Sequence, residues 1–261
     1  MFSNTAKKSL SRRTIYYALP VISLTVMVCF YSYMAAKMPL LLPNGEELWG
    51  RFLLTFTKPI KGVSLAGHLL ASLKRVLISL IFAWTLGIGF GVMIGWNRTL
   101  KAIFGSIFDL FRPIPPIAWI PIIIMWFGIG EFPKVLIVFI GSFIPVVLNT
   151  EAGIRMVDKE SIAVATVFGA NKRQMLMQFV IPTALPSIFA GVRTSVSCGW
   201  TVVLAAEMLG ADSGVGSLVT RGWNASDMAL VLVSIICIGL IGAVLAFTLN
   251  KAEKVICPWN N

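Results

Sequence analysis

Residues 169–187 read GANKRQMLMQFVIPTALPS and separate two long apolar stretches in a chain that otherwise avoids charge. A minimal loop needs no glycine, basic pair, amphipathic turn and two prolines, so this segment predicts built structure. From Asp158 onward the chain reads as two short helices. Asp158 suits the N-cap of the first, Gly169 its left-handed stop, and Asn171 the cap of the second. Pro182 marks a helix boundary ahead of the next apolar run. On the second helix Met175, Leu176, Phe179 and Val180 gather on one face, while Lys172, Arg173 and Gln178 point elsewhere. That face needs a cover, which is either the protein's own spans or a docking partner.

The rest of the chain explains why such an elbow would stand outside lipid. Of its 261 residues, 57% are hydrophobic and 13% charged, and the mean hydropathy is +0.85. The bilayer is the solvent that suits this composition. A net charge of +11 then reflects basic anchors at the membrane edge rather than nucleic-acid binding, for which no separate basic domain exists. Cys29, Cys198, Cys237 and Cys257 are far apart and His68 is the only histidine, so neither a zinc site nor a Cys/His dyad has material to form. No cofactor is implied.

An all-α chain with six membrane spans follows from apolar runs of roughly 20 residues. Thr14 to Ala36 is one, too long for a cleaved signal segment. Val76 to Trp96 and Met228 to Asn250 are uninterrupted. Ile114 to Ile129 and Val135 to Thr150 are shorter, and Pro182 to Leu209 carries Arg193 and Glu207. Lys7, Lys8, Arg12 and Arg13, then Arg98 and Lys101, then Arg155, Lys159, Lys172 and Arg173, then Lys251 and Lys254 fall on alternate faces. By the positive-inside rule both termini and the opening segment are cytoplasmic. The first outer loop also holds Lys37, Arg51, Lys58 and Lys61, with Glu46 and Glu47.

Three features inside the spans bear on function. Ala83, Gly87, Gly91 and Gly95 recur every four residues, a stripe for close helix packing or for sliding during a conformational cycle. The run RPIPPIAWIPIII has too many prolines for a regular helix: it points either to a pore or to a kinked helix start anchored near the cytoplasmic interface by Arg112 and Trp119. In the fifth span Arg193, Ser197, Trp200, Leu204 and Glu207 fall at helical spacing, so both charges are expected on one interior side. Arg193 is either paired structurally or lines a path for an anion.

The run AVATVFGANKRQMLMQFVIPTALPSIFAGVR resembles the cytoplasmic signature of binding-protein-dependent ABC importer permeases: Glu-Ala-Ala, a Gly six residues after the Glu, and a later Leu-Pro. Ala165, Gly169 and Pro182 match it, Ile181 stands for the Leu, and Ala163 takes the place of the usual Glu, with Glu160 one turn earlier. HLLASLKRVLISL, RPIPPIAWIPIIIMWFGIGEFPKVLIV, IPVVLNTEAGIRMVDKE and GWTVVLAAEMLGADSGVGSLV look like the nitrate/sulfonate/taurine branch, and the likeness spans about 66–250.

The resemblance implies a type I importer fold over about 66–250, and it matches the first span and outer loop at 14–65 least; hydropathy and the basic flanks make 1–13 and 251–261 cytoplasmic tails. The resemblance also implies two ATPase subunits, a solute-binding protein and a second permease copy, with a homodimer as the simplest pairing. The coupling helices would fall at about 158–180, with Glu160, Ala163, Ala165, Gly169, Ala170, Phe179 and Pro182 as contact residues. Arg193, Ser197, Trp200 and Glu207 are the path candidates.

The chain has no Gly-x-x-x-x-Gly-Lys-Ser/Thr loop to cradle ATP phosphates, so energy must arrive through another chain. A secondary transporter would show repeated halves, and none are evident. Acidic residues are too scattered for an intramembrane enzyme. A membrane scaffold would not explain the elbow.

Overall fold

Gly87, Gly91 and Gly95 bring two helices into near backbone contact, and that seam organises the molecule. In the computed structural model, a Cβ on Gly91 would stand 2.6 Å from the Thr150 Cβ, and one on Gly95 3.0 Å from the Ile154 Cβ. The stripe is therefore a packing surface, with Ala83 fully buried above it.

The structure describes residues 3–39 and 41–256. Cys257 and the side chains of Lys7, Lys8, Arg12, Arg13 and Lys159 lie outside the described residues. Ten helices follow in order within them: α1 (Ser3–Lys37), α2 (Gly45–Thr57), α3 (Leu65–Trp96), α4 (Arg98–Phe111), α5 (Pro116–Phe127), α6 (Glu131–Arg155), α7 (Lys159–Val167), α8 (Lys172–Met208), α9 (Val215–Asn224) and α10 (Met228–Ile256). Five are long and apolar enough to cross a membrane, and the pair α4/α5, bent by 86°, brings the number to six if its two halves count as one broken span.

α6 lies at the centre, packed along α3 on one side and α8 on the other. Glycines set the second seam too: a Cβ on Gly191 of α8 would fall 2.8 Å from the Asn149 Cβ. Val76, Leu80, Ile137, Val138, Val196 and Val203 fill the space between the three helices. Burying such side chains contributes about 1.5–3 kcal/mol each in water, but lipid is as apolar as leucine, so close packing dominates here.

Several boundaries differ from the sequence reading, each for a physical reason. α3 begins at Leu65, not Val76, because Arg75 is neutralised inside the bundle instead of ending the span. The third crossing is not one span over 114–129, since the prolines at 113–116 fold it into a sharp corner. Pro182 does not end a helix: Met175–Val180 forms a π turn, the Ile181 N–H reaches back to the Leu176 carbonyl, and the widened turn accommodates the ring. The second elbow helix is thus continuous with the fifth span. The amphipathic α2 between α1 and α3 went unforeseen, although Asn44 and Glu47 form a capping box there.

Candidate coupling elbow and membrane path

The elbow is α7 with the start of α8. The Asp158 carboxylate accepts from the Glu160 and Ser161 N–H groups at 3.2 and 3.1 Å and from the Ser161 hydroxyl at 2.8 Å. Those donors, the hydroxyl first, hold its pKa below the usual aspartate value. Gly169 takes φ +80°, and its N–H reaches the Thr166 carbonyl at 3.0 Å, closing α7. Asn171 and Gln174 make a reciprocal capping box for α8. Side-chain caps at both helix starts and the glycine turn between them thus tie down this corner, which makes the elbow an ordered handle.

Its exposed apolar surface is not the one expected. Met175 and Val180 are buried against Ile154, Val157, Ala184 and Ile188, so the protein's own helices cover that face. The uncovered residues lie on α7: Val164 is 55% exposed, and Val167 and Phe168 are each 86% exposed. Beside them Glu160, Ala165, Ala170 and Phe179 share a hollow of about 630 Å³. Ala163, Gly169 and Pro182 are exposed but do not line it. At the same end of the bundle, Glu151 of α6 binds both Lys101 and Arg155, the latter at 3.3 Å.

The four path candidates of α8 separate into different environments. Arg193 is half exposed and pairs with Glu253 near the end of α10 at 2.9 Å. Trp200 is buried, donates to the Ile238 carbonyl at 3.1 Å and packs on Gly242. Glu207 is fully enclosed at the opposite end. The two charges therefore do not share one interior side, because each is claimed by a different helix. Ser197 faces an open hollow, of about 510 Å³, together with Arg112, Pro115, Pro116, Cys198 and Thr201.

Glu207 is the centre of a polar hub that the sequence reading missed. It accepts from Arg75 at 2.6 Å, Ser72 at 2.8 Å and the Gly216 N–H at 3.0 Å. Arg75 also holds Glu131 through two 2.7 Å bonds and donates to the Ser213 carbonyl at 2.9 Å. Gly214 sits at φ +116° where any Cβ would collide with the Glu207 carboxylate. His68 takes the Gly214 N–H on its Nδ1 at 3.1 Å, so it is a structural acceptor. Charges this deep need pairing on every side, and the pairing pins the loop before α9 to α3 and α8. The signal was the run EMLGADSGVG, whose glycines permit the close approach.

Arg112 stands at the α4/α5 corner. It shares hollows with Ile140, Phe143, Ile144 and Pro145, which surround the middle of α6. It therefore stands level with the middle of α6, about 20 Å along α4 from Arg98 at 1.5 Å per residue.

Comparison with known proteins accords with this architecture. Residues 87–256 match the model of the binding-protein-dependent transport system inner membrane component family. A putative ABC transporter permease of Methanocaldococcus jannaschii is 34% identical over 93% of this chain and 90% of its own. The taurine transport system permease TauC of Escherichia coli is 34% identical over 85% of this chain and 81% of its own. The nitrate import permease NrtB of Synechocystis is 30% identical over 73% and 70%. A solved inward-facing MetNI methionine ABC transporter superposes with a TM-score of 0.62 at 18% identity, covering 74% of this chain and 95% of that one, a likeness of fold. The chain belongs to the binding-protein-dependent transport system inner membrane components, the multi-pass permease subunits of ABC importers.

Proposed function

We propose that this permease, as a pair of copies, forms the path for a small oxyanion delivered by an outer solute-binding protein. In this reading separate ATPase subunits drive it through the 158–180 elbow. The observation that carries the coupling role is the ridge of Val164, Val167 and Phe168, apolar and exposed on an element capped at both ends. Water penalises such a ridge, and a rigid handle is what an ATP-driven motion needs to move spans. The anionic cargo rests on the relatives' printed names, which include taurine and nitrate permeases. Glu160 beside the hollow would take the part of the acid absent at Ala163. With the elbow inside the cell, both termini are cytoplasmic, as the basic residues at that end predict.

The test is co-purification with a co-expressed ABC ATPase subunit from the same organism. Phe168→Asp should lose the ATPase and with it solute uptake, while the permease still inserts. A Val167→Cys variant should react with a membrane-impermeant maleimide in inside-out vesicles and not in intact cells. Full ATPase binding by Phe168→Asp, or labelling from outside, would refute the reading.

A further inference from the structure

Arg112 is a charge in an expensive place. Its neighbours on α6 run from Phe139 to Leu148, around the middle of a helix that spans Glu131–Arg155. Its only ionic partner among the described residues is Asp109, one turn back at 3.3 Å, and the two side chains are 44% and 51% exposed. An exposed ion pair in the middle of hydrocarbon costs several kcal/mol, so such residues face a water-filled cavity or protein. The backbone says the same: prolines at 113, 115 and 116 leave an irregular corner that lipid does not tolerate.

The hollow beside it has a consistent chemistry. Arg112 is the one charged residue in its lining, and no carboxylate contributes. Ser197, Cys198 and Thr201 of α8, Pro116 of α5 and Pro115 just before it complete its polar and irregular wall. The Thr201 proton goes to the Ser197 carbonyl at 3.0 Å, leaving the Ser197 hydroxyl and the guanidinium as donors toward the space. A planar guanidinium offers paired N–H groups that match the oxygens of a sulfonate, nitrate or carboxylate.

We infer that Arg112, assisted by Ser197, is the mid-membrane anion-selecting site of this permease, binding a small oxyanion as it passes the α4/α5 corner. This rests on the reading that this face lines the solute path. The affinity must stay modest, since a site that holds its ion tightly does not release it. The neighbouring proline corner would fix the height of the guanidinium independently of helix motion.

Cys198, in the same lining, supplies a reporter that needs no knowledge of the cargo. In the complete transporter in nanodiscs, with Cys29, Cys237 and Cys257 replaced by serine, an anionic sulfonatoethyl methanethiosulfonate is compared with its cationic trimethylammonium analogue. The sulfonate reagent should modify Cys198 at least about five-fold faster than the cation, relative to the same pair on free cysteine, the preference the Arg112 charge leaves after partial offset by Asp109. Arg112→Gln should abolish that ratio, Arg112→Lys should keep most of it, and millimolar nitrate or methanesulfonate should slow the reaction in the parent alone.

An unchanged ratio in Arg112→Gln, a preference for the cation, or a Cys198 that never reacts would overturn the assignment. Loss of the permease pair in Arg112→Gln would instead place the arginine in a contact between copies and overturn it too. ATPase coupling is read separately on the same samples. If coupling fails while the ratio behaves as stated, the importer reading falls and the anion site stands.

Discussion

Arg75 and Glu207, 132 positions apart, meet at 2.6 Å where Glu207 has no exposed surface. The pair joins the start of α3 to the end of α8, with Ser213 and Gly216 tied to the same two side chains. Removing one partner leaves the other buried without its counter-charge, which costs about 3–5 kcal/mol, whereas replacing both with apolar groups costs far less. Arg75→Met should therefore lower the thermal midpoint of the detergent-solubilised permease more than Arg75→Met with Glu207→Leu. Strictly additive losses would show that the two charges are not energetically coupled.

The seam between α3 and α6 makes a sharper prediction, because two neighbouring glycines differ completely. A Cβ at Gly91 meets Thr150 at 2.6 Å and the Val147 carbonyl at 3.0 Å, while one at Gly89 meets nothing within 4 Å. Gly91→Ala should destabilise by about 1–3 kcal/mol through overpacking. Gly89→Ala should be neutral or stabilise by up to about 1 kcal/mol through helix propensity. Melting curves of the two variants against the parent decide it, and equal behaviour would mean that this stripe is not a tight packing surface.

The helices and the elbow were legible because their signals are local. Hydropathy marked the spans, and Asp158, Gly169 and Asn171 each sit where cap chemistry places them. What was not legible depends on partners distant in sequence. Arg75 looked like the edge of a span and proved to be inside one, since Glu131 and Glu207 arrive from other helices. Helical spacing put Arg193 and Glu207 together, but spacing alone does not reveal that Glu253 claims the first and Arg75 the second. The place of Arg112 beside the middle of α6 depends on α4 (Arg98–Phe111) and its 86° bend to α5, neither of which hydropathy marked.

Asp158 gives the elbow a pH dependence. Its folded-state pKa lies below the ordinary 3.8, chiefly through the Ser161 hydroxyl and then the backbone N–H groups. The cap is therefore fully in place above the ordinary aspartate range and is lost as pH falls through the lower folded value. Amide exchange at 159–167, corrected for its intrinsic pH dependence, should stay slow to about pH 4 and accelerate below it. Asp158→Asn, which still accepts hydrogen bonds but does not titrate, should remove that acid-dependent step. Persistence of the step in this variant would assign it to another group.

Gly169 tests whether the shape of the elbow, and not its mere presence, transmits force. At φ +80° with open space around its Cβ position, the residue faces a conformational demand and no steric one. Valine in that region costs about 1–2 kcal/mol, which shifts the turn and the register of α7 against the start of α8. Asparagine tolerates the left-handed region and adds no clash. Reconstituted with the ATPase and binding protein, Gly169→Val should continue to hydrolyse ATP while solute uptake falls by about ten-fold, the rate equivalent of about 1.4 kcal/mol, and Gly169→Asn should import at near the parental rate. Normal uptake by the valine variant would show that the backbone turn at this position carries no part of the coupling.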